Sequence, residues 1–363
     1  MKMERNSCFG GWETGCVIAN LLIYRIFTQV PLTFTRYAGP AAFLSALVSA
    51  GLGLILIWLL LEIIKRNSGR NLIDIAGVAL GRFGRYVVFA LIMVYALLSA
   101  IFTLQEFSEL IKLIAFPKSP IWYVKLFLIV AGLSGAFLGL RATVRVHRIF
   151  VPALIGITLL VVFSAMEYGT INNVFPILGK GTEGVLRGGI SGTLLYSDII
   201  LILLLNPFRG DFRKLKRTTL GALAASLLVG ITVVFALSFT FPYPSSEELH
   251  FPVYSLLKEV WYGRFFQRID VVYMFFISVC SMLYLSFLLG ALSEMVKNVA
   301  EAQTGMIYTI PLSLTVLIFC LCEDIRRYFT ERSLQLCAAI VVAAVFLIAI
   351  IASGRCKKAH EKG

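Results

Sequence analysis

The sequence predicts an all-α polytopic membrane protein that crosses the bilayer about ten times, and two observations support this class. Hydrophobic residues make up 59% of the 363 residues, and charged residues only 15%, against roughly 25% in soluble domains. Mean hydropathy is +0.87. In addition, apolar stretches of bilayer-spanning length recur along the chain with short polar interruptions. A water-soluble fold has no interior large enough to bury this much apolar surface.

Ten segments have the length and composition of a transmembrane helix. They cover residues 13–35, 40–64, 85–113, 120–140, 147–167, 189–207, 217–241, 267–294, 305–322 and 334–353. We predict one membrane domain, in which 11–167 and 189–353 form two halves of five helices each. The longest polar connection, 241–266, and the polar tail, 354–363, lie outside the bilayer in this prediction.

Lysine and arginine placement predicts the orientation, because basic residues accumulate in cytoplasmic segments. With the N-terminus inside, 20 of the 33 basic residues fall in cytoplasmic segments, 12 fall outside, and Arg25 lies within the first span. This excess predicts that both termini are cytoplasmic. The basic run at 209–217 is typical of a topology determinant that also contacts anionic membrane lipid.

Composition and spacing also exclude several functions. The net charge of +13 does not indicate nucleic-acid binding, because no water-facing module gathers the basic residues. No nucleophile with a neighbouring base, no phosphate-binding loop and no spacing of metal ligands occurs, so we expect neither an enzyme nor a cofactor. The seven cysteines and three histidines are dispersed, which predicts that no metal is bound.

Two charged residues lie deep within apolar segments, where an ionisable group is costly unless it is paired, solvated or functional. Arg25 lies about halfway along the first segment, and Asp198 lies well inside the sixth. Both segments also read as poor continuous helices, because the first contains Pro31 and the sixth opens with a glycine-rich stretch. The two deepest charges therefore coincide with the two least regular segments.

This coincidence predicts a 5+5 inverted-repeat, LeuT-like arrangement with interrupted helices 1 and 6. In transporters of this plan, substrate binds near the membrane midplane between discontinuous helices at equivalent positions of the two repeats. We therefore expect ligand contacts from the first, third, sixth and eighth segments. The candidates are Arg25, Thr28, Gln29, Ser99, Thr103, Tyr196, Ser197, Asp198, Ser278 and Ser281. For Ser99, Thr103, Ser278 and Ser281, a helix-stabilising role remains an alternative.

Three sequence motifs resemble those of a known family. A proline at the end of the first segment, Pro31, precedes an Ala38-Gly39 turn; Asn-Val-Phe-Pro-Ile-Leu-Gly-Lys-Gly stands at 173–181; and Phe-Pro-Val-Tyr-Ser-Leu-Leu-Lys-Glu-Val begins at Phe251 and leads into Phe-Phe-Gln-Arg-Ile-Asp at 265–270. In this order the motifs resemble the B-subunit family of spore germinant receptors. These endospore germination permeases belong to the amino acid-polyamine-organocation transporter superfamily.

The resemblance implies a subunit in the inner membrane of a spore that senses a small-molecule germinant such as an amino acid. It also implies two partners, a membrane-bound A-subunit and a C-subunit lipoprotein. One departure is that many relatives have glycine in the first span where this chain reads Ile23-Tyr24-Arg25-Ile26. A permanent charge there is expected to pair with Asp198 or with a ligand carboxylate. An ion-coupled amino-acid permease and a structural scaffold remain alternative functions.

Overall fold

A computed structural model describes residues 10–66, 72–205, 212–260, 269–300, 305–322 and 331–360. Within these ranges the regular elements are helices, and no strand is present. The helices are α1 (Gly11–Thr28), α2 (Val30–Ala38), α3 (Ala42–Arg66), α4 (Leu72–Ile114), α5 (Ile121–Phe137), α6 (Leu140–Ala165), α7 (Thr182–Leu194), α8 (Ile199–Leu205), α9 (Phe212–Thr240), α10 (Pro252–Glu259), α11 (Ile269–Ala300), α12 (Met306–Leu321) and α13 (Glu331–His360).

The helices confirm a multi-pass membrane protein. Among the described residues, six stretches are long and apolar enough to cross a bilayer: Val30–Arg66, Ala79–Ile114, Leu140–Tyr168, Thr182–Ile202, Phe212–Thr240 and Val271–Ala300. Shorter apolar helices occur at Ile121–Phe137, Ile307–Leu321 and Arg332–Ile348. Each of the ten predicted segments overlaps at least one helix. The count of ten crossings, the inverted repeat and the orientation of the termini remain predictions.

The first predicted span is interrupted at one residue, between α1 and α2. The junction is Gln29, whose amide donates to the Arg25 carbonyl (2.9 Å) and whose carbonyl accepts from the Thr33 amide (3.0 Å). Pro31 follows immediately, and because proline has no N–H it cannot donate to the carbonyl four residues earlier. The change of geometry is therefore local, and the backbone stays hydrogen-bonded across it.

The sixth predicted span also changes geometry in its interior. α7 ends at Leu194, a 3₁₀ turn covers Leu195–Asp198, and α8 follows directly. A 3₁₀ turn is tighter than an α-helix, so side chains after it point in a different direction. Asp198 closes this turn and is fully buried.

The glycines at the start of the sixth span allow close helix packing. α7 packs against α2 and α3, and a Cβ atom on Gly189 would lie 2.5 Å from Val48 Cγ1. A Cβ atom on Gly192 would overlap the ring of Phe34. Small residues at such positions let transmembrane helices approach closely. The glycine-rich sequence therefore serves packing between α7 and the first half of the chain.

The long polar connection predicted at 241–266 is structured over its described part, which ends at residue 260. It contains a 3₁₀ turn at Ser245–Glu247 and the short helix α10. α10 buries Val253, Leu256 and Leu257 and contacts α1, α6, α9 and α11. This part of the connection is a docked cap on the bundle. Residues 261–266, with most of the 265–270 motif, lie outside the described residues.

Candidate ligand-binding site

A buried ion pair lies where α1, α4, α11 and the 3₁₀ turn before α8 meet. Arg25 Nε is 2.9 Å from Asp198 Oδ2. Arg25 Nη2 donates to the hydroxyl groups of Ser99 (2.6 Å) and Tyr284 (3.1 Å). None of these four residues is accessible at the protein surface. The two deepest charges of the sequence therefore neutralise each other inside the bundle.

The Asp198 carboxylate accepts four hydrogen bonds. Tyr95 (2.8 Å) and Ser99 (3.1 Å) donate to Oδ1. Arg25 and Tyr284 donate to Oδ2, the tyrosine at 2.5 Å. Two carboxylate oxygens have about four lone-pair positions, so this acceptor is saturated. We call Arg25, Tyr95, Ser99, Asp198 and Tyr284 the ionic centre.

The hydrogen bonds around the ion pair make it tolerable inside an apolar bundle. Removing two charges from water costs several kcal/mol per ion, and mutual attraction offsets this cost only when the remaining polar atoms are also paired. In the ionic centre, hydroxyl groups from α4 and α11 supply those bonds. Each helix that contributes a group is thus held to the others by a polar contact inside an apolar bundle.

Two hydrogen-bond donors at the edge of the ionic centre have a weak acceptor or none within the described residues. Arg25 Nη1 has only a long contact to Gln29 Oε1, at 3.5 Å. The amide nitrogen of Gln29, Nε2, is buried and has no hydrogen-bond partner within the described residues. Arg25 lies in the last turn of α1, and Gln29 lies four residues later at the junction with α2. Adjacent N–H donors beside a guanidinium match the requirements of a carboxylate.

Stacked tyrosines cover one side of the ionic centre. The rings of Tyr24 and Tyr284 stack with centroids 4.8 Å apart and an interplanar angle of 29°. The Tyr24 hydroxyl donates to the carbonyl oxygen of Thr103 (3.2 Å). Because Tyr284 also bonds Arg25 and Asp198, this stack joins the centre to the next turn of α4.

Next to this stack is a small cavity. Its volume is about 10 Å³, and Thr103 and Ser281 contribute hydroxyl groups to an otherwise apolar lining. The Thr103 hydroxyl is buried beside the Tyr24 hydroxyl. The Ser281 hydroxyl donates to the Ile277 carbonyl of its own helix (2.7 Å).

Six of the ten predicted site residues fall into two groups in the structure. Arg25, Gln29, Ser99 and Asp198 meet at the ionic centre or its edge, and Thr103 and Ser281 meet at the cavity. The hydroxyls of the other three bond to backbone carbonyls of their own segments: Thr28 to Tyr24, Ser197 to Leu194 and Ser278 to Met274.

The tenth candidate, Tyr196, points elsewhere. It is buried against α3, where a Cβ atom on Gly53 would lie 3.2 Å from its ring. Sequence reasoning missed Tyr24, Tyr95 and Tyr284, which supply stacking and hydroxyl contacts in and around the ionic centre. Helical spacing offered a clue, since Tyr95 precedes Ser99 by four residues and Tyr284 follows Ser281 by three.

A second buried polar cluster lies apart from the ionic centre. Asn20 Nδ2 contacts His147 Nε2 (3.1 Å) and donates to the Cys280 carbonyl (3.0 Å). His147 Nδ1 lies 2.7 Å from the Thr143 carbonyl, so Nδ1 carries the proton and Nε2 accepts from the amide. This cluster ties α1, α6 and α11 together. Among the described residues, no group of three potential ligands could hold a metal.

The 173–181 motif forms a clamp at one end of the bundle. The Lys180 ammonium donates to the Arg36 carbonyl (2.8 Å) and to Glu247 Oε1 (2.5 Å). Partial burial lowers the pKa of Lys180, but the hydrogen bonds to Glu247 and Tyr243 outweigh it, so the pKa lies above its usual value. The last turn of α2 is thereby joined to the connections after α6 and α9.

The preceding glycine makes this clamp possible. Gly179 has a φ of +49°, a left-handed conformation that favours glycine. A Cβ atom there would also collide with the Ala38 carbonyl oxygen, which accepts from the Lys180 amide (3.2 Å). The motif thus requires a residue with no side chain at 179.

These features define a class: a multi-pass helical membrane protein with a buried polar centre where two interrupted spans meet. Comparison with known proteins agrees with this class. Residues 17–328 match the Spore_permease family model, described as "Spore germination protein". The chain therefore belongs to the spore germination protein family.

Curated relatives from Bacillus subtilis (strain 168) are consistent with this assignment. Spore germination protein KB is 22% identical over 320 residues, which cover 86% of this chain and 84% of the relative. Spore germination protein B2 is 19% identical over 261 residues, 71% of each chain. Spore germination protein YndE is 22% identical over 190 residues, 52% of each chain.

Proposed function

We propose that this chain is the B-subunit of a spore germinant receptor and that it senses a small molecule carrying a carboxylate, such as an amino acid. The proposed site is the ionic centre and its edge at Gln29. Family membership supports a receptor or permease-like role, and the buried Arg25–Asp198 pair supports the location. The remaining predicted partners, an A-subunit and a C-subunit lipoprotein, belong to this proposal, as do the spore inner membrane and cytoplasmic termini.

The proposal depends on a contrast within the site. The Asp198 carboxylate already accepts all the hydrogen bonds it can, whereas N–H donors of Arg25 and Gln29 lack good acceptors. Asp198 has no free lone-pair position, whereas Arg25 Nη1 and Gln29 Nε2 have N–H groups to offer. A ligand carboxylate would satisfy both donors without separating Arg25 from Asp198. A ligand ammonium would instead compete with Arg25 for Asp198 and loosen the contact between α1 and α8.

That competition offers a route from binding to response. The ion pair joins the last turn of α1 to the 3₁₀ turn in the sixth span. A ligand that alters this contact changes the relative stability of the helix arrangements with and without the ion pair. It shifts the equilibrium between them only by the difference in its affinity for the two arrangements. We therefore place the signalling step at the α1–α8 contact.

The test uses the purified chain in lipid nanodiscs with radiolabelled L-amino acids as probes. Wild-type protein is expected to bind at least one probe saturably, and Gln29→Leu is expected to weaken that binding by about tenfold, the value of one hydrogen bond to a charged group. Arg145→Ala, an exposed arginine on α6, is the matched control and should bind normally. Equal binding by wild-type and Gln29→Leu would place the ligand elsewhere.

Vesicle uptake separates the sensor from the permease. The same labelled probe is presented to sealed vesicles that contain the protein, with and without an ion gradient. A sensor binds the probe in proportion to protein and does not accumulate it. Gradient-driven accumulation beyond the binding capacity would instead identify an ion-coupled permease.

A further inference from the structure

The connection between α6 and α7 exposes large apolar side chains although it lies outside the long helices. Residues 169–181 separate two membrane-length stretches, Leu140–Tyr168 and Thr182–Ile202. Four apolar side chains of this connection are between 51% and 59% exposed, and we call them the apolar loop: Ile171, Phe175, Ile177 and Leu178. A single exposed apolar side chain is ordinary, but a group of them in one short connection marks a surface that contacts a membrane or another protein.

Polar side chains near both ends of this connection are directed toward the bundle. Asn173 Nδ2 donates to the carbonyl oxygens of Phe239 (2.9 Å) and Thr240 (3.3 Å). The Lys180 ammonium is bound within the clamp. A connection that faces water usually directs its polar groups outward and its large apolar groups inward. Because the apolar loop has the reverse arrangement, it suits surroundings other than water.

Hydrogen bonds also fix the level of the apolar loop relative to the spans. α9 ends at Thr240, whose carbonyl accepts from the connection, and the Lys180 amide donates to the carbonyl of Ala38, the last residue of α2. The apolar loop therefore lies level with helix ends, where hydrocarbon gives way to lipid headgroups. Thr170 and Asn172 are exposed as well, and the headgroup region accepts both polar and apolar groups.

The apolar loop continues an exposed apolar surface on the two helices that it connects. This surface consists of Leu160 and Phe163 on α6 and of Leu186 and Ile190 on α7, all more than half exposed. In helices of membrane length, such side chains face lipid. Tyr168, where α6 gives way to the connection, is half exposed, and tyrosine is enriched at the membrane interface. This continuity favours lipid over a protein partner.

We propose that the apolar loop is a membrane anchor, which inserts Phe175, Ile177 and Leu178 into the boundary between headgroups and acyl chains of one leaflet. Apolar side chains bind there by burying their surface among the lipids. The proposal goes beyond the proposed function, because it requires no ligand at the ionic centre. Since α7 begins directly after the clamp and leads to the 3₁₀ turn that ends at Asp198, the anchor fixes the start of the sixth span against the bilayer.

The test places a single tryptophan in the apolar loop and measures whether lipid or water reaches it. The four native tryptophans are replaced by phenylalanine, and Phe175→Trp is studied in nanodiscs made with phosphatidylcholine brominated near the headgroup end of its acyl chains. Phe163→Trp, on the exposed face of α6, and His250→Trp, at an exposed position before α10, are the controls. Bromine is expected to quench Phe175→Trp about as strongly as Phe163→Trp and to leave His250→Trp bright. Iodide in the water should give the opposite order.

The result that would overturn the anchor is a Phe175→Trp protein that iodide quenches and brominated lipid does not, as expected for His250→Trp. The apolar loop would then stand clear of the bilayer, as a surface for a protein partner. Melting temperature shows whether each variant is folded, and if Phe175→Trp is not, Ile177→Trp enters the same comparison with the same two outcomes. Ligand binding by Gln29→Leu is measured separately, so the anchor and the proposed ligand site can fail independently.

Discussion

The guanidinium of Arg25 and the carboxylate of Asp198 are 2.9 Å apart, on segments separated by 173 positions in the chain. Their side chains are 1% and 0% exposed. The pair therefore joins the first and sixth spans at a fully buried point of the bundle. Its stability depends on the hydroxyls around it, and its disruption affects both halves of the chain at once.

Removal of a single charge from this pair is expected to lower the stability of the fold more than removal of both charges. Asp198→Asn leaves Arg25 buried without a counter-charge, which costs about 3–5 kcal/mol of unfolding free energy. The double variant Arg25→Met/Asp198→Leu has no buried charge and should recover most of that loss. Melting temperatures of the three purified proteins in one detergent test this, and a double variant no more stable than Asp198→Asn would contradict it.

The two tyrosine hydroxyls of the ionic centre should contribute unequally. Tyr95→Phe removes one donor to Asp198, whereas Tyr284→Phe also removes an acceptor for Arg25. We expect each substitution to cost about 1–3 kcal/mol, with the larger loss at Tyr284. Thermal unfolding measures both, with Tyr123→Phe, at an exposed tyrosine, as control. A greater effect at Tyr95 would mean that the carboxylate depends mainly on α4.

The clamp formed by the 173–181 motif should depend on Gly179. Gly179→Ala introduces a methyl group against the Ala38 carbonyl and also strains a left-handed backbone position. Gly139→Ala has the same backbone problem, at φ +87°, but meets no atom within 4 Å. The difference between the two melting temperatures isolates the close contact. Equal losses would mean that backbone conformation alone explains the glycine.

The Asn20–His147 cluster is expected to stabilise the fold without affecting ligand binding. Asn20→Leu removes the donor to His147 Nε2 and to the Cys280 carbonyl, at a cost of about 1–3 kcal/mol. Melting temperature should fall, while the affinity for any amino-acid probe stays within about twofold, because no side-chain hydrogen bond within the described residues joins the cluster to the ionic centre. A large change in affinity at unchanged stability would instead include α6 in the binding site.

Much of this architecture follows from simple physics applied to the sequence. Apolar stretches of membrane length predicted the helices, and the cost of a charge inside them predicted that Arg25 and Asp198 are special. The inverted-repeat hypothesis then nominated Ser99 on the third segment. These inferences used the composition of the segments, the low dielectric constant of their surroundings and the predicted repeat.

Other features depend on three-dimensional contacts that no single segment reveals. Tyr95 and Tyr284 resemble any tyrosine in an apolar span until Asp198 is placed between them. Whether Thr28 or Ser278 faces a ligand or its own backbone depends on the side-chain rotamer, which packing decides. The docking of α10 depends on apolar contacts with distant helices. A long polar connection predicts none of these contacts.

The most direct test of the central claim is the affinity of labelled L-amino acids for the double variant Arg25→Met/Asp198→Leu, measured beside wild-type protein in nanodiscs. The proposed site predicts saturable binding to wild-type protein and a loss of roughly a hundredfold or more in the double variant, the value of at least two hydrogen bonds to charged groups. Melting temperature confirms that the variant is folded. Wild-type affinity in a folded double variant would contradict a ligand site at Arg25 and Asp198.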